Sequence, residues 1–138
     1  MSTTISAIPI QARRAFLVLI VAQAAHSIEE YVFRLYDVFA PARFVSSVVS
    51  DNLPFGFAVA NTLIVLFGIW CYVVRVRPNH PSARGLVWFW TVLEFGNGVG
   101  HCVVALWQAA YFPGVATAPV LIALTVYLFV KLGATDMA

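Results

Sequence analysis

Two short runs place histidine beside carboxylates within otherwise apolar sequence: His26-Ser27-Ile28-Glu29-Glu30 and Glu94-Phe95-Gly96-Asn97-Gly98-Val99-Gly100-His101. On a helix, Gln23, His26 and Glu30 follow an i, i+3, i+7 line, and Glu29 falls three residues after His26. Glu94, Asn97 and His101 repeat the same line further along. Two imidazoles, up to three carboxylates and an amide form a ligand set for a divalent metal. The candidate ligands are His26, Glu30, Glu94 and His101, with Glu29 as general acid/base and Asn97 orienting a substrate or a ligand. Zinc is favoured over iron: the second run lacks the Glu-x-x-His spacing of di-iron bundles, and the first carries it in reverse. A metal with an open position would activate water and polarise a substrate oxygen.

Three of the chain's six acidic residues sit in these runs. A carboxylate at the centre of a bilayer costs roughly 2.5–3.5 kcal/mol. Three unpaired ones would subtract on the order of 7–10 kcal/mol, comparable to a whole protein's stability. Protons, partners or a metal must neutralise them. A metal-free alternative keeps one glutamic acid protonated as an acid toward an alkene or carbonyl, with His26 or His101 accepting a proton elsewhere. That chemistry suits an isomerase or cyclase of an isoprenoid- or sterol-like lipid. A third alternative is a non-enzymatic subunit or small transporter whose polar layer conducts protons or ions, or holds a partner helix. The blandest alternative has the polar residues only binding helices together, although Asn or Gln would do so at lower cost.

The elements that must carry these runs follow from composition. The chain has 138 residues, 62% hydrophobic and 10% charged, against about 25% charged in a soluble domain. The expected fold is all-α: one membrane-embedded domain over residues 1–138, a four-transmembrane-helix bundle. The spans run from about Ala15 to Phe33, Phe55 to Val74, Leu86 to Tyr111 and Ala118 to Leu132, each near the ~20 residues needed to cross. Pro78 and Pro81 break the chain between the second and third, and Tyr111-Phe112-Pro113-Gly114 turns it between the third and fourth. Between the first two, Phe44, Val45, Val48 and Val49 recur at helical spacing, which predicts a short interfacial helix. With the N-terminus inside, six of eight cations face the cytoplasm (Arg13, Arg14, Arg75, Arg77, Arg84 and Lys131), while Arg34 and Arg43 face out. The positive-inside rule then puts both termini in the cytoplasm and the protein in the inner membrane. No cationic cluster is long enough for nucleic acid.

Counting roughly 1.5 Å per residue from Arg14 and Arg84 puts both polar stripes in one layer of the outer bilayer half, and Asn61 reaches a similar depth. One site is the economical reading, with Gln23, Asn61, Asn97, Tyr111 and Thr117 as substrate-binding candidates. Glycines 96, 98 and 100 would let a helix or substrate approach closely, and they leave a homodimer open. Cys71 and Cys102 are read as reduced packing residues, His80 as an exposed loop residue, and the four tryptophans as belt and packing groups.

His26-x-x-Glu29-Glu30, followed by Glu94-x-x-Asn97-x-x-x-His101 and Tyr111-x-Pro113-Gly114-x-x-Thr117, resembles the HXXEE family of small bacterial membrane proteins. The resemblance runs from about Ala25 to Leu132. It implies a four-helix membrane protein with a polar site at those positions, and no particular activity. The expectation that results is a membrane-embedded enzyme, metal-binding, acting on a lipophilic small molecule drawn from the bilayer.

Overall fold

A computed structural model describes residues 7–136. The extreme termini, expected in the cytoplasm, lie outside the described residues. Within them the chain is entirely helical, with no strand: α1 (Ile10–Val32), α2 (Leu35–Val38), α3 (Ala40–Val49), α4 (Leu53–Trp70), α5 (Ala83–Gln108) and α6 (Ala118–Asp136). A π-helical turn, Cys71–Val76, prolongs α4.

Local chemistry explains the breaks. α1 ends where Arg34 takes the left-handed conformation (φ 59°), stabilised by its guanidinium donating to Asp37 at 2.6 Å. Pro41 occupies the first turn of α3, where a missing N–H costs nothing. Asn52 caps α4, its side chain accepting from the Phe55 amide at 3.0 Å. α5 stops at Ala109, which is again left-handed (φ 48°).

Two helices are long and apolar enough to cross a membrane, Ile10–Val32 and Leu53–Val76, and Ala118–Ala134 is a shorter apolar helix. The expected helix between the first two spans is present as α3. It lies on α4 so closely that a Cβ on Gly56 would collide with the Ser46 carbonyl group. Phe44 and Val48 on its outer side stay 69% and 71% exposed. The short helix α2, which the periodicity does not suggest, joins α1 to it.

The long helices pack in the order α4, α1, α6, α5 around the bundle. The ring closes at one end only, where α5 meets the π turn and Phe67 lies 5.9 Å from Trp90. Beyond that point α4 and α5 make no extended contact and splay apart. An apolar cluster fills the closed end (Phe16, Leu19, Ile20, Cys71, Val87, Trp90, Leu121, Leu128). A smaller one (Leu35, Tyr36, Phe57, Phe112) roofs the other. Between the two clusters in chain order, α1 and α5 bury Gln23, His26, Ser27, Glu29, Glu30, Thr91, Glu94 and His101. Large apolar residues stand exposed on the outsides of all four long helices, among them Val21, Leu63, Leu66, Phe89, Val92, Val103 and Val130. Polar inside and apolar outside inverts the usual order of a water-soluble domain.

Of the glycine triplet, only Gly98 meets a helix: a Cβ there would press on Ile122 and the Ala118 carbonyl of α6. Gly96 and Gly100 face open space, and Gly96 lines a cavity.

Candidate metal centre

His26, Glu30 and His101 each bring one ligand atom to a common point, all within 4.8 Å of one another and all buried. His26 and Glu30 are one helical turn apart on α1, so a shared stripe also means a shared level. Glu30 Oε1 lies 3.4 Å from His26 Nε2 and 3.1 Å from His101 Nε2. The two rings meet edge to face, their centroids 4.7 Å apart.

The opposite ring nitrogens fix the protons. His101 Nδ1 lies 2.6 Å from the Pro113 carbonyl oxygen. A carbonyl only accepts, so Nδ1 carries the hydrogen. His26 Nδ1 lies 2.7 Å from Thr117 Oγ1. That hydroxyl gives its single proton to Glu29 Oε2 at 2.6 Å, so it accepts from His26. Each ring thus turns its Nε2 edge toward the carboxylate side, 3.4 Å (His26) and 3.1 Å (His101) from Glu30 Oε1, and His26 Nε2 is buried without a hydrogen-bond partner. Ligating histidines in metal sites are oriented in this way, the far N–H donating to a carbonyl or an oxygen acceptor.

Glu29 turns the other way, about 100° round the helix from Glu30. Its Oε1 accepts from the Tyr111 hydroxyl at 2.5 Å and from the amides of Gly114 and Ala116 at 3.1 and 3.0 Å. Its Oε2 accepts from the Thr117 amide at 2.9 Å as well as from the Thr117 hydroxyl. Five donors saturate the carboxylate. Expected as a general acid/base, Glu29 instead anchors the α5–α6 loop. Tyr111 and Thr117, expected to meet a substrate, serve Glu29 and His26, because the buried carboxylate is the acceptor that must be satisfied.

Glu94 does not join the trio. Seven residues along α5 separate it from His101 by about 10 Å of rise, so the common stripe does not make a common shell. Its Oε2 accepts from Asn97 Nδ2 at 3.3 Å. With Gln23, Asn61, Asn97, Glu30 and His101 it lines a cavity of about 600 Å³ between α4 and α5, roofed by Leu35, Phe39 and Val45. Asn61 uses both ends of its amide within the protein, accepting from Ser27 at 2.8 Å and donating to the Phe57 carbonyl at 3.1 Å.

Gly114 matters more than its place in a turn suggests. Its φ of +96° suits glycine, and a Cβ there would lie 2.5 Å from His101 Nδ1 and 2.8 Å from His26 Cε1. The loop backbone is pressed against both imidazoles. The Pro113-Gly114 pair is the available signal in the sequence, but a turn dipeptide does not say what the turn touches.

Residues 17–128 match the family described as proteins of unknown function with an HXXEE motif. This chain belongs to the HXXEE family. No curated protein and no solved structure matches it. The HXXEE motif here divides its labour: His26 and Glu30 build the buried trio with His101, and Glu29 holds the loop that orients both rings.

Proposed function

We propose that this HXXEE protein is a membrane-embedded metalloenzyme acting on a lipophilic small molecule. His26, Glu30 and His101 hold a divalent cation, zinc in preference to iron. The observation that carries the reading is the gathering of two buried imidazole Nε2 atoms about one carboxylate oxygen, both rings held from behind by hydrogen-bond acceptors. A tetrahedral zinc with bonds near 2.0–2.1 Å has ligand–ligand edges of about 3.3 Å. Two of the trio's three separations, 3.4 and 3.1 Å, fit that edge, and the third, between the two nitrogens, lies within 4.8 Å. Three protein ligands leave a fourth position for water or substrate, the arrangement of catalytic rather than structural zinc sites. Glu94, across the same cavity, takes the acid/base role in place of Glu29, with Asn97 holding its carboxyl group.

The same proposal sets the protein in the inner membrane as a single domain of four spans, with both termini in the cytoplasm. Two features of the shorter or more polar helices support it. α5 carries Arg84, Glu94, Asn97 and His101 but buries Glu94 and His101 and turns Phe89, Val92 and Val103 outward. α6 offers a predominantly apolar stretch of 17 residues, Ala118–Ala134, about 26 Å of helix against a hydrocarbon core of about 30 Å. The cavity reaches the surface at Ile64, Val92 and Leu93, which are themselves exposed, so a substrate enters from lipid rather than from water.

A second reading rests on the same convergence: a proton in place of the metal makes one imidazole cationic and the site a metal-free isomerase or cyclase. Elemental analysis of chelator-washed, zinc-reloaded protein in detergent separates the two. The metalloenzyme requires about one ion per chain, lost in His101→Ala with the helical content unchanged. Well-folded wild-type protein that retains no ion after reloading rejects it.

A further inference from the structure

A buried carboxylate needs a counter-charge or a full set of donors, and the protein completes two of its three. Glu29 is closed by five donors, and Glu30 lies between two imidazoles. Glu94 is 1% exposed, and its one hydrogen bond among the described residues comes from a neutral group, Asn97 Nδ2, at 3.3 Å from Oε2. Its Oε1 has no partner there. Among the described residues no Lys or Arg lines the cavity. Arg34 and Arg43, on the segment that roofs it, are bound to the Asp37 carboxylate and to the carbonyls of Tyr36 and Asp37. A cation in the trio stands about 10 Å of helix rise from Glu94, at His101.

Asn97 adds a second acceptor beside the carboxyl group. A carboxylate accepts, so the nitrogen of the Asn97 amide faces Glu94 and its oxygen is left without a partner. Gln23 Oε1, on the same wall, also lacks a partner but is sealed off. Glu94 Oε1 and Asn97 Oδ1 do not belong to the sealed atoms, and both residues line the cavity. The two ends of an amide are adjacent, so a group donating to Asn97 Oδ1 also stands beside the Glu94 carboxyl group. The cavity volume of about 600 Å³ is within the range of small-molecule sites. Away from its few polar residues the wall is apolar or glycine, and the open side is flanked by the exposed Ile64, Val92 and Leu93.

We infer that this cavity takes a lipophilic amine, bound as its ammonium: an N–H donates to Asn97 Oδ1, and the positive charge lies against the Glu94 carboxylate. The hydrocarbon part follows the apolar wall toward the lipid. A fatty acid or a lipid phosphate would bring a second negative charge to Glu94. A ketone, ester or ether brings no donor. An alcohol brings a donor and no charge, which leaves the carboxylate without its counter-ion. The inference rests on the metalloenzyme reading only in taking this cavity as the ligand site.

The test compares farnesylamine with farnesol, binding at pH 7 to the full-length protein in nanodiscs of zwitterionic lipid. Affinities are expressed as mole fractions in the lipid, with uptake by empty nanodiscs subtracted. The two probes share a chain and a donor and differ in charge. Farnesylamine is expected to bind at least about tenfold tighter, the size of a charge-assisted hydrogen bond. Glu94→Gln, equal in shape and neutral, is expected to bring the two within about threefold with metal content unchanged. Equal binding to the wild-type protein overturns the inference, because the carboxyl group is then satisfied by a proton of its own. An undiminished preference in Glu94→Gln overturns it too, because the ammonium then pairs elsewhere. The wild-type comparison is decisive by itself where the variant fails to fold. A preference for the amine, lost in Glu94→Gln, in protein that takes up no metal upholds the inference and rejects the metal reading. A metal-loaded protein indifferent to the charge overturns the inference alone.

Discussion

Thr117 shows how much a single side chain settles in this site. Its hydroxyl stands between Glu29 and His26, donating to the first and accepting from the second, so the tautomer of His26 is decided by a group outside the trio. Thr117→Val keeps the shape and removes the hydroxyl. Loss of such an outer partner costs about 10–100-fold in metal affinity. Competition against a chromogenic zinc chelator is expected to show a drop of that size with the thermal midpoint nearly kept. An unchanged affinity would mean that the imidazole needs no such orientation.

At the level of elements, the α5–α6 loop is the least regular part of the chain near the site, and it is pinned to α1 by one carboxylate. Glu29→Gln replaces an oxygen that only accepts by an NH2 that only donates, facing N–H and O–H groups. Each orphaned buried donor costs about 1–3 kcal/mol, so the loop should detach before the helices melt. Hydrogen exchange at the amides of Gly114, Ala116 and Thr117 is expected to accelerate at least tenfold in that variant, against little change within α4. Equal protection in both proteins would show that the anchor is dispensable. The helices themselves are legible in the sequence, since apolar length, Pro78, Pro81 and the Pro113-Gly114 turn fix where they begin and stop, and the period of Phe44, Val45, Val48 and Val49 marks α3. The direction of Glu29 is not legible. Adjacent glutamates differ by a rotation of about 100°, and the choice between them is made by donors 82 to 88 residues downstream. The place of Glu94 outside the trio is hidden for a related reason: a stripe on a helix specifies azimuth and leaves height free.

For the whole molecule, the apolar exterior, the polar interior and the distribution of cations support the proposed orientation in the bilayer. Ser82, before α5, and Ser47, on α3, are both exposed and belong to opposite ends of the bundle. Ser82→Cys is expected to react with a membrane-impermeant maleimide only after the cytoplasmic side is opened, and Ser47→Cys in intact cells. The reverse pattern would invert the proposed topology, and with it the bilayer half from which a ligand is drawn. Helix association in lipid lacks a hydrophobic drive and relies on close packing and hydrogen bonds. This chain supplies both: Gly56 under α3, Gly98 against α6, and the Glu29 cluster tying α1 to the loop that starts α6.

The six residues from Cys71 to Val76 wind as a π turn at the foot of α4. Such a turn holds about one extra residue per revolution, so its six residues sweep roughly the angle that five sweep in an α-helix. Removing one residue there would let the foot rewind as regular helix while α4 keeps its phase. Asn61 would then stay on the Ser27 hydroxyl, 2.8 Å away. Relatives one residue shorter in that stretch are expected to keep the same polar wall, whereas the same deletion within α4 would turn it by about 100°.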